Sequence, residues 1–219
     1  MCFSATANFV GSGVLGAIGV ATLFEVKHRR ELLFAAVPTL FAVHQFTEGF
    51  VWLGLDGILP AAATHDAGAA FVLYAQGLLP FLIPLSVLLI EPTPERRRRM
   101  LWFAILGAGL ALFILWGLIV APLQVFLKAH SIVYLNAYTT SIAIAVLYVI
   151  ATCGALLFSG YTYLVVLGVL NVVGLLAVML WKAYAFTSLW CAYAAVISVI
   201  IYFFFRHTRE QRPESYAIA

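Results

Sequence analysis

The chain has 219 residues, 64% of them hydrophobic and only 10% charged, with a formal net charge of +3 and a mean hydropathy of +1.05. A soluble domain carries about 25% charged residues, so the composition excludes an ordinary water-soluble fold. The small positive charge sits beside apolar runs, as in Glu95–Met100 (ERRRRM), which argues for membrane headgroups and against a nucleic-acid partner.

Crossing ~30 Å of hydrocarbon takes about 20 apolar residues in a helix. Seven windows qualify in chain order: Ser4–Val26, Leu32–Leu53, Ala69–Ile90, Met100–Ala121, Ala137–Phe158, Tyr163–Trp181 and Ser188–Phe205. Hydrocarbon forces every backbone group to bond within its own segment. The predicted fold is therefore all-α, a polytopic seven-transmembrane-helix bundle over residues 1–205 with a polar tail over 206–219.

The first span lacks a basic n-region and is too long for a cleavable signal, so it reads as a retained anchor. Gly11, Gly13, Gly16 and Gly19 give it small-residue spacings that let another helix approach closely. Lys27, Arg29 and Arg30 follow it. Pro38 in span two, and Pro80 and Pro84 in span three, predict kinks that free backbone carbonyls. Gly54–Gly68 and Pro122–Asn136 read as loops on one side, with a short turn near Ala183–Thr187. Ser159–Gly160 joins spans five and six on the other side. Ten of the 12 Lys and Arg residues (Lys27, Arg29, Arg30, Arg96–Arg99, Arg206, Arg209, Arg212) fall on that second side. The positive-inside rule then sets the N-terminus outside and the C-terminus in the cytoplasm. The expected partners are membrane lipids, with anionic headgroups at the cytoplasmic face.

Three cysteines, Cys2, Cys153 and Cys191, are too few for a disulfide framework. A Cys2–Cys191 bridge and independent thiols both remain open. Glu25, Glu31, Glu91 and Glu95 read as interfacial companions of the basic clusters.

The candidate site starts from His44 and Glu48, one turn apart in span two. An ionisable side chain within the bilayer costs a few kcal/mol and normally faces the protein interior. His44 lies ~20 Å up span two and Glu48 ~6 Å further, both in the outer half. Asn8, Tyr74, Gln76, Asn136, Tyr138, Lys182 and Tyr184 come to similar depth from other spans, with Asn171 nearer the middle. The pattern predicts an outward-facing cavity with His44, Glu48, Gln76, Asn136 and Lys182 as ligand-binding residues. His44 and Glu48, with Cys2, form a candidate set for a transition metal such as Zn or Cu, and His65 and His130 in the outer loops can close it. A metal-free alternative is a proton site on the same pair. A third is hydrogen bonding that only holds helices together. No Gly-rich phosphate loop and no Gly-x-Ser-x-Gly elbow is present.

Two stretches, MCFSATANFVGSGVLGAIGVATL at the start and FAVHQFTEGFVWLGL in span two, resemble an uncharacterised family of small bacterial integral membrane proteins that begin Met-Cys-Phe-Ser-Ala. The resemblance extends over most of the chain. It implies a seven-helix fold in the bacterial inner membrane and transfers no catalytic role. Seven-helix membrane hydrolases of the ceramidase and adiponectin-receptor type match only in architecture, because residue 40 is Leu where they have Ser and span seven lacks His-x-x-x-His. Microbial rhodopsins need a lysine midway along span seven, where this chain has none. The functional expectation is a metal or small-ligand site, with hydrolysis of a lipid-like substrate as one version. A non-catalytic sensor or transport protein and an accessory subunit of a larger membrane complex are the alternatives.

Overall fold

The computed structural model describes residues 4–128, 131–182 and 186–211, and the side chains of these except over 176–192 and 208–211. Helices dominate, in the order α1 (Ala5–Phe24), α2 (Leu32–Ala35), α3 (Val37–Leu55), α4 (Ala61–Val72), α5 (Leu79–Ile90), α6 (Pro94–Val120), α7 (Ile142–Leu157), α8 (Thr162–Lys182) and α9 (Phe186–Gln211). A short antiparallel hairpin, β1 (Gln124–Lys128) and β2 (Ser131–Leu135), lies between α6 and α7.

Ser4 caps α1 by accepting from the Ala7 N–H at 3.2 Å. The first connection is a single 3-10 turn, Arg29–Glu31. The Glu31 carboxylate closes it by accepting from the backbone N–H groups of Lys27 (2.9 Å) and His28 (3.2 Å). Pro38 sits in the first turn of α3, where its missing N–H interrupts the ladder and divides expected span two into α2 and α3. Expected span three is longer than its apolar window. It starts at Ala61 within the stretch read as a loop, and runs through α4, a π-helical segment (Leu73–Leu78) and α5. The π turn directly precedes Pro80, whose ring nitrogen cannot donate back along the helix.

Pro84 removes the donor that would normally bond the Pro80 carbonyl. That carbonyl faces Gly107 of α6, where an added Cβ would lie 1.9 Å from the Pro80 oxygen. Only a glycine allows this approach, and the freed oxygen is left against Cα–H groups. A similar seam joins α1 to α3. A Cβ on Gly19 would come within 2.3 Å of Thr39 Oγ1 and 2.7 Å of its backbone nitrogen. Gly11 and Gly16 back onto Gln45 and Ala42, whereas Gly13 faces open space. Of the four glycines, Gly19 makes the close helix approach that their spacing predicts, while Gly11 and Gly16 leave room for an ordinary contact.

The helices form a closed ring. α1 packs on α3, α3 on α4, α5 on α6 and α7, α7 on α8, and α9 returns to α1, α2 and α3. One end holds the Arg29–Glu31 turn, the α5–α6 and α7–α8 connections and the C-terminal part of α9; we refer to it as the basic end. Phe34 meets Phe204 there at 5.8 Å, and Tyr161 Oη donates to the Ile90 carbonyl. Glu91, expected at an interface, is instead buried. Its Oε2 accepts from Ser159 Oγ at 3.2 Å and from the Gly160 N–H at 2.9 Å, locking the α7–α8 turn onto the α5–α6 loop. A core of Phe34, Phe41, Leu79, Val87, Met100 and Ile201 fills this half of the bundle.

The opposite, hairpin end has its own core of Val51, Trp52, Phe71, Val72, Leu123, Ile132 and Tyr134. The hairpin is a small addition to a fold that is otherwise all-α, as expected. Pro122 and the extended Ala121 stop α6, and the β-branched and aromatic sequences QVFLK and SIVYL then pair, Val125 opposite Tyr134 and Lys128 opposite Ser131. Ile132 and Tyr134 turn inward in strand alternation. At the other terminus, α9 continues past Phe205 to Gln211, into the stretch expected as tail.

Among the described residues, three helices, Ala5–Phe24, the composite Ala61–Ile90 and Pro94–Val120, are long and apolar enough to cross a membrane. α7 and the described parts of the last two helices, Thr162–Leu175 and Tyr193–His207, are apolar but shorter.

Candidate functional site

α3 carries His44, Glu48 and Trp52 at four-residue spacing, which stacks them along one face. All three are buried, Glu48 to 1% exposure and His44 to 9%. Gln45 points instead to α1, where its Nε2 donates to Asn8 Oδ1. Asn8 in turn donates from Nδ2 to the Ser4 carbonyl at 3.1 Å. This buried amide pair fixes the rotation of α3 against α1, and so turns His44 toward α4.

On that side the His44 imidazole stacks on Phe71 of α4, with centroids 4.0 Å apart and planes 20° apart. Tyr74, in the π segment, leans on the same ring at 4.7 Å. Phe71 also stacks with Tyr134 of β2 at 4.5 Å and 15°. The rings of Tyr74, His44, Phe71 and Tyr134 thus form one continuous run from the bundle interior to the hairpin. Burial, and after it the negative charge of Glu48, push the Tyr134 phenol well above its ordinary value. It stays a neutral hydroxyl donor and acceptor near a carboxylate.

Several polar atoms of this region are buried without a hydrogen-bond partner among the described residues: His44 Nδ1, Trp52 Nε1, Tyr74 Oη, Gln76 Oε1 and Tyr134 Oη. Leaving such an atom unpaired costs about 1–3 kcal/mol. They concentrate around the His44–Glu48 face, where they offer both donors and acceptors.

The other expected site residues fare differently. Gln76 lies in the same π segment as Tyr74, and its side-chain oxygen is one of the unpartnered atoms. Asn136 is fully used by backbone. Its amide donates to the carbonyls of Gly117 (3.2 Å) and Ala121 (3.0 Å), and its oxygen accepts from the N–H groups of Tyr138 and Thr139. It ends α6 and starts the turn toward α7, leaving no side-chain group for a ligand. Asn171 lines a small central cavity of about 30 Å³ with Tyr148 and Thr152, away from His44. His65 is exposed on α4 beside Asp66, its Nδ1 3.5 Å from the carboxylate, and does not reach the site. Cys2, His130 and the side chains of Lys182 and Cys191 lie outside the described residues. Cys153 is a buried free thiol beside Thr152.

Among the described residues no group of three His, Cys, Asp or Glu side chains comes together in a way that could hold a metal. His44 and Glu48 are at most two ligands of such a set.

Sequence reasoning passed over Phe71, Trp52 and Tyr134. Trp52 was open to detection, eight residues beyond His44 and so on its face. Tyr134 was signalled by the alternation in SIVYL, which marks a strand with one inward face. Phe71 carried no signal, because a phenylalanine inside the apolar window Ala69–Ile90 looks like any other packing residue.

The model of DUF6629, a family of unknown function, matches residues 1–216. The chain belongs to that family. The resemblance carried by the Met-Cys-Phe-Ser-Ala opening and the span-two segment is thus a family membership, and the His44–Glu48 face is part of what the DUF6629 model covers. Neither the curated proteins nor the solved structures give a match.

Proposed function

We propose that this member of DUF6629 is a polytopic protein of the bacterial inner membrane. Its seven helical spans run with the N-terminus outside and the C-terminus cytoplasmic, and its outer half carries a binding site on α3. Membrane insertion is supported by helices of spanning length and by outward faces that expose Leu112, Ile119 and Ile142, an apolar surface far larger than water-soluble monomers tolerate. The basic end, with Arg29, Arg30, Arg96–Arg99 and Arg206, supports the orientation.

The observation that carries the site is the run of buried, unpartnered polar atoms around His44 and Glu48, roofed by Tyr134. It supports a small polar ligand held by hydrogen bonds from His44, Trp52, Tyr74 and Gln76. The metal version needs a third ligand from beyond the described residues, such as Cys2, or from the bound molecule itself. Element analysis of purified protein, beside His44→Ala and Glu48→Gln, separates the two. A stoichiometric transition metal lost in both variants supports the metal version. Metal-free wild type overturns it. Ligand occupancy is read by mass spectrometry of small molecules released on denaturation, which should fall in both variants.

The stacking of His44 on Phe71 also favours a second reading, in which the imidazole only packs helices. His44→Phe preserves the stack. If packing is the whole role, this variant keeps full stability and any released small molecule is unchanged.

A further inference from the structure

The central cavity of about 30 Å³ lies one helical turn toward the basic end from the His44 layer. Phe41, one turn before His44 on α3, forms part of its wall. Nine of its eleven lining residues are buried, which makes it interior space and not a dent in the surface. Most of the wall is aliphatic or phenylalanine. The exceptions are Tyr148 and Thr152 of α7 and Asn171 of α8.

Asn171 decides what such a space can hold. Its side chain is only 8% exposed and makes no hydrogen bond among the described residues. Its amide offers two N–H donors and a carbonyl oxygen, and burying such a group without partners is costly. Thr152 Oγ1 donates its hydrogen to the Tyr148 carbonyl at 2.9 Å, which leaves the hydroxyl lone pairs free to accept. Two helices thus bring polar groups to one small cavity.

Size and charge narrow the occupant. A water molecule needs about 10–15 Å³ of such space, so the cavity takes one or two waters and no larger polar molecule. No charged side chain lines it, so a bare ion would sit there uncompensated. An apolar gas atom would leave the Asn171 amide unpaired.

We propose that this cavity is a binding site for one or two internal water molecules that bridge Asn171 of α8 to Thr152 of α7. The water accepts from the Asn171 amide and donates to Thr152 Oγ1. Ordered internal water pairs buried polar groups in this way when two to four of them converge on a space of its size. The α7–α8 pair, already locked at its turn by Glu91, is then joined a second time within the bundle. The inference goes beyond the His44–Glu48 reading, since neither residue lines the cavity.

The test is solid-state NMR of the full chain in lipid bilayers, reading magnetisation transfer from water protons to the Asn171 side-chain amide, assigned through its own backbone resonances. Transfer should be at least about threefold stronger than to the backbone N–H of Val87, a residue of the dry core. Thr152→Val removes one partner of the water and should weaken the transfer by about half, whereas Thr152→Ser should preserve it. Transfer no stronger than at Val87 overturns the proposal, and so does transfer undiminished in Thr152→Val. Dissolved xenon is the opposite probe, because it enters dry apolar cavities. The methyl resonances of Leu156 and Leu167, both in the wall, should stay in place under xenon in wild type. Xenon-dependent shifts there would show a dry cavity and overturn the water site, while the His44–Glu48 reading would stand.

Discussion

Tyr134 is where the hairpin touches the candidate site, and its ring and its hydroxyl have separate jobs. The ring stacks on Phe71, and removing it opens a cavity, so Tyr134→Ala should cost about 3–5 kcal/mol. The hydroxyl is buried without a partner among the described residues, so Tyr134→Phe removes its desolvation cost and should raise stability by about 1–3 kcal/mol. A ligand that uses the hydroxyl makes the same variant lose occupancy, which separates binding from packing. The raised phenol also fixes a sign. Its neutral form is the one the fold prefers, so its contribution is complete below the ordinary tyrosine value and is lost as pH rises above it. Denaturation midpoints measured from neutral to strongly alkaline pH should fall less steeply in Tyr134→Phe than in wild type; parallel curves would argue against the burial of this group.

Individual helices owe their positions to a few residues whose neighbours leave no room. Gly19 lies against the backbone of Thr39, which cannot swing aside as a side chain could, so Gly19→Ala must force α1 and α3 apart. A cost of about 1–3 kcal/mol is expected. Gly13, six residues earlier on the same helix, meets nothing within 4 Å, and Gly13→Ala should be neutral or slightly stabilising through helix propensity. Comparable thermal unfolding of the two variants would refute this account of the seam. The glycine spacing was legible in the sequence, but which glycine matters was not, because period alone does not say where the partner backbone comes closest. The prolines behaved similarly. Pro38 and Pro80 announced breaks, yet the π turn before Pro80 and the α6 glycine facing its carbonyl follow from packing between helices. Asn136 read as a site residue from its depth, whereas its neighbours Gly117 and Ala121 turned it into a helix end. His44 and Glu48 needed no partner to be noticed, since an ionisable group in an apolar run is costly by itself.

For the molecule as a whole, the apolar windows located the helices well, and they missed the hairpin and the α4 extension because both lie outside windows chosen for hydropathy. In the proposed topology, charge asymmetry is the feature that sets orientation. A C-terminal fluorescent reporter that matures only in the cytoplasm should light up on the full chain, and a periplasm-dependent enzyme reporter at the same position should stay inactive. The opposite pattern would invert the proposed topology and with it the outward-facing site.

The contact between the Pro80 carbonyl and Gly107 has a mechanical meaning. A carbonyl pressed against a glycine leaves α5 and α6 no clearance to slide or rotate past one another, so the two travel as one rigid body. Tyr74 and Gln76 are carried on the π segment attached to that body. On the hairpin side the Tyr134–Phe71 stack covers the His44 ring, so that face of α3 is closed by packed aromatic rings. The proline–glycine seam is the frame on which those rings are held.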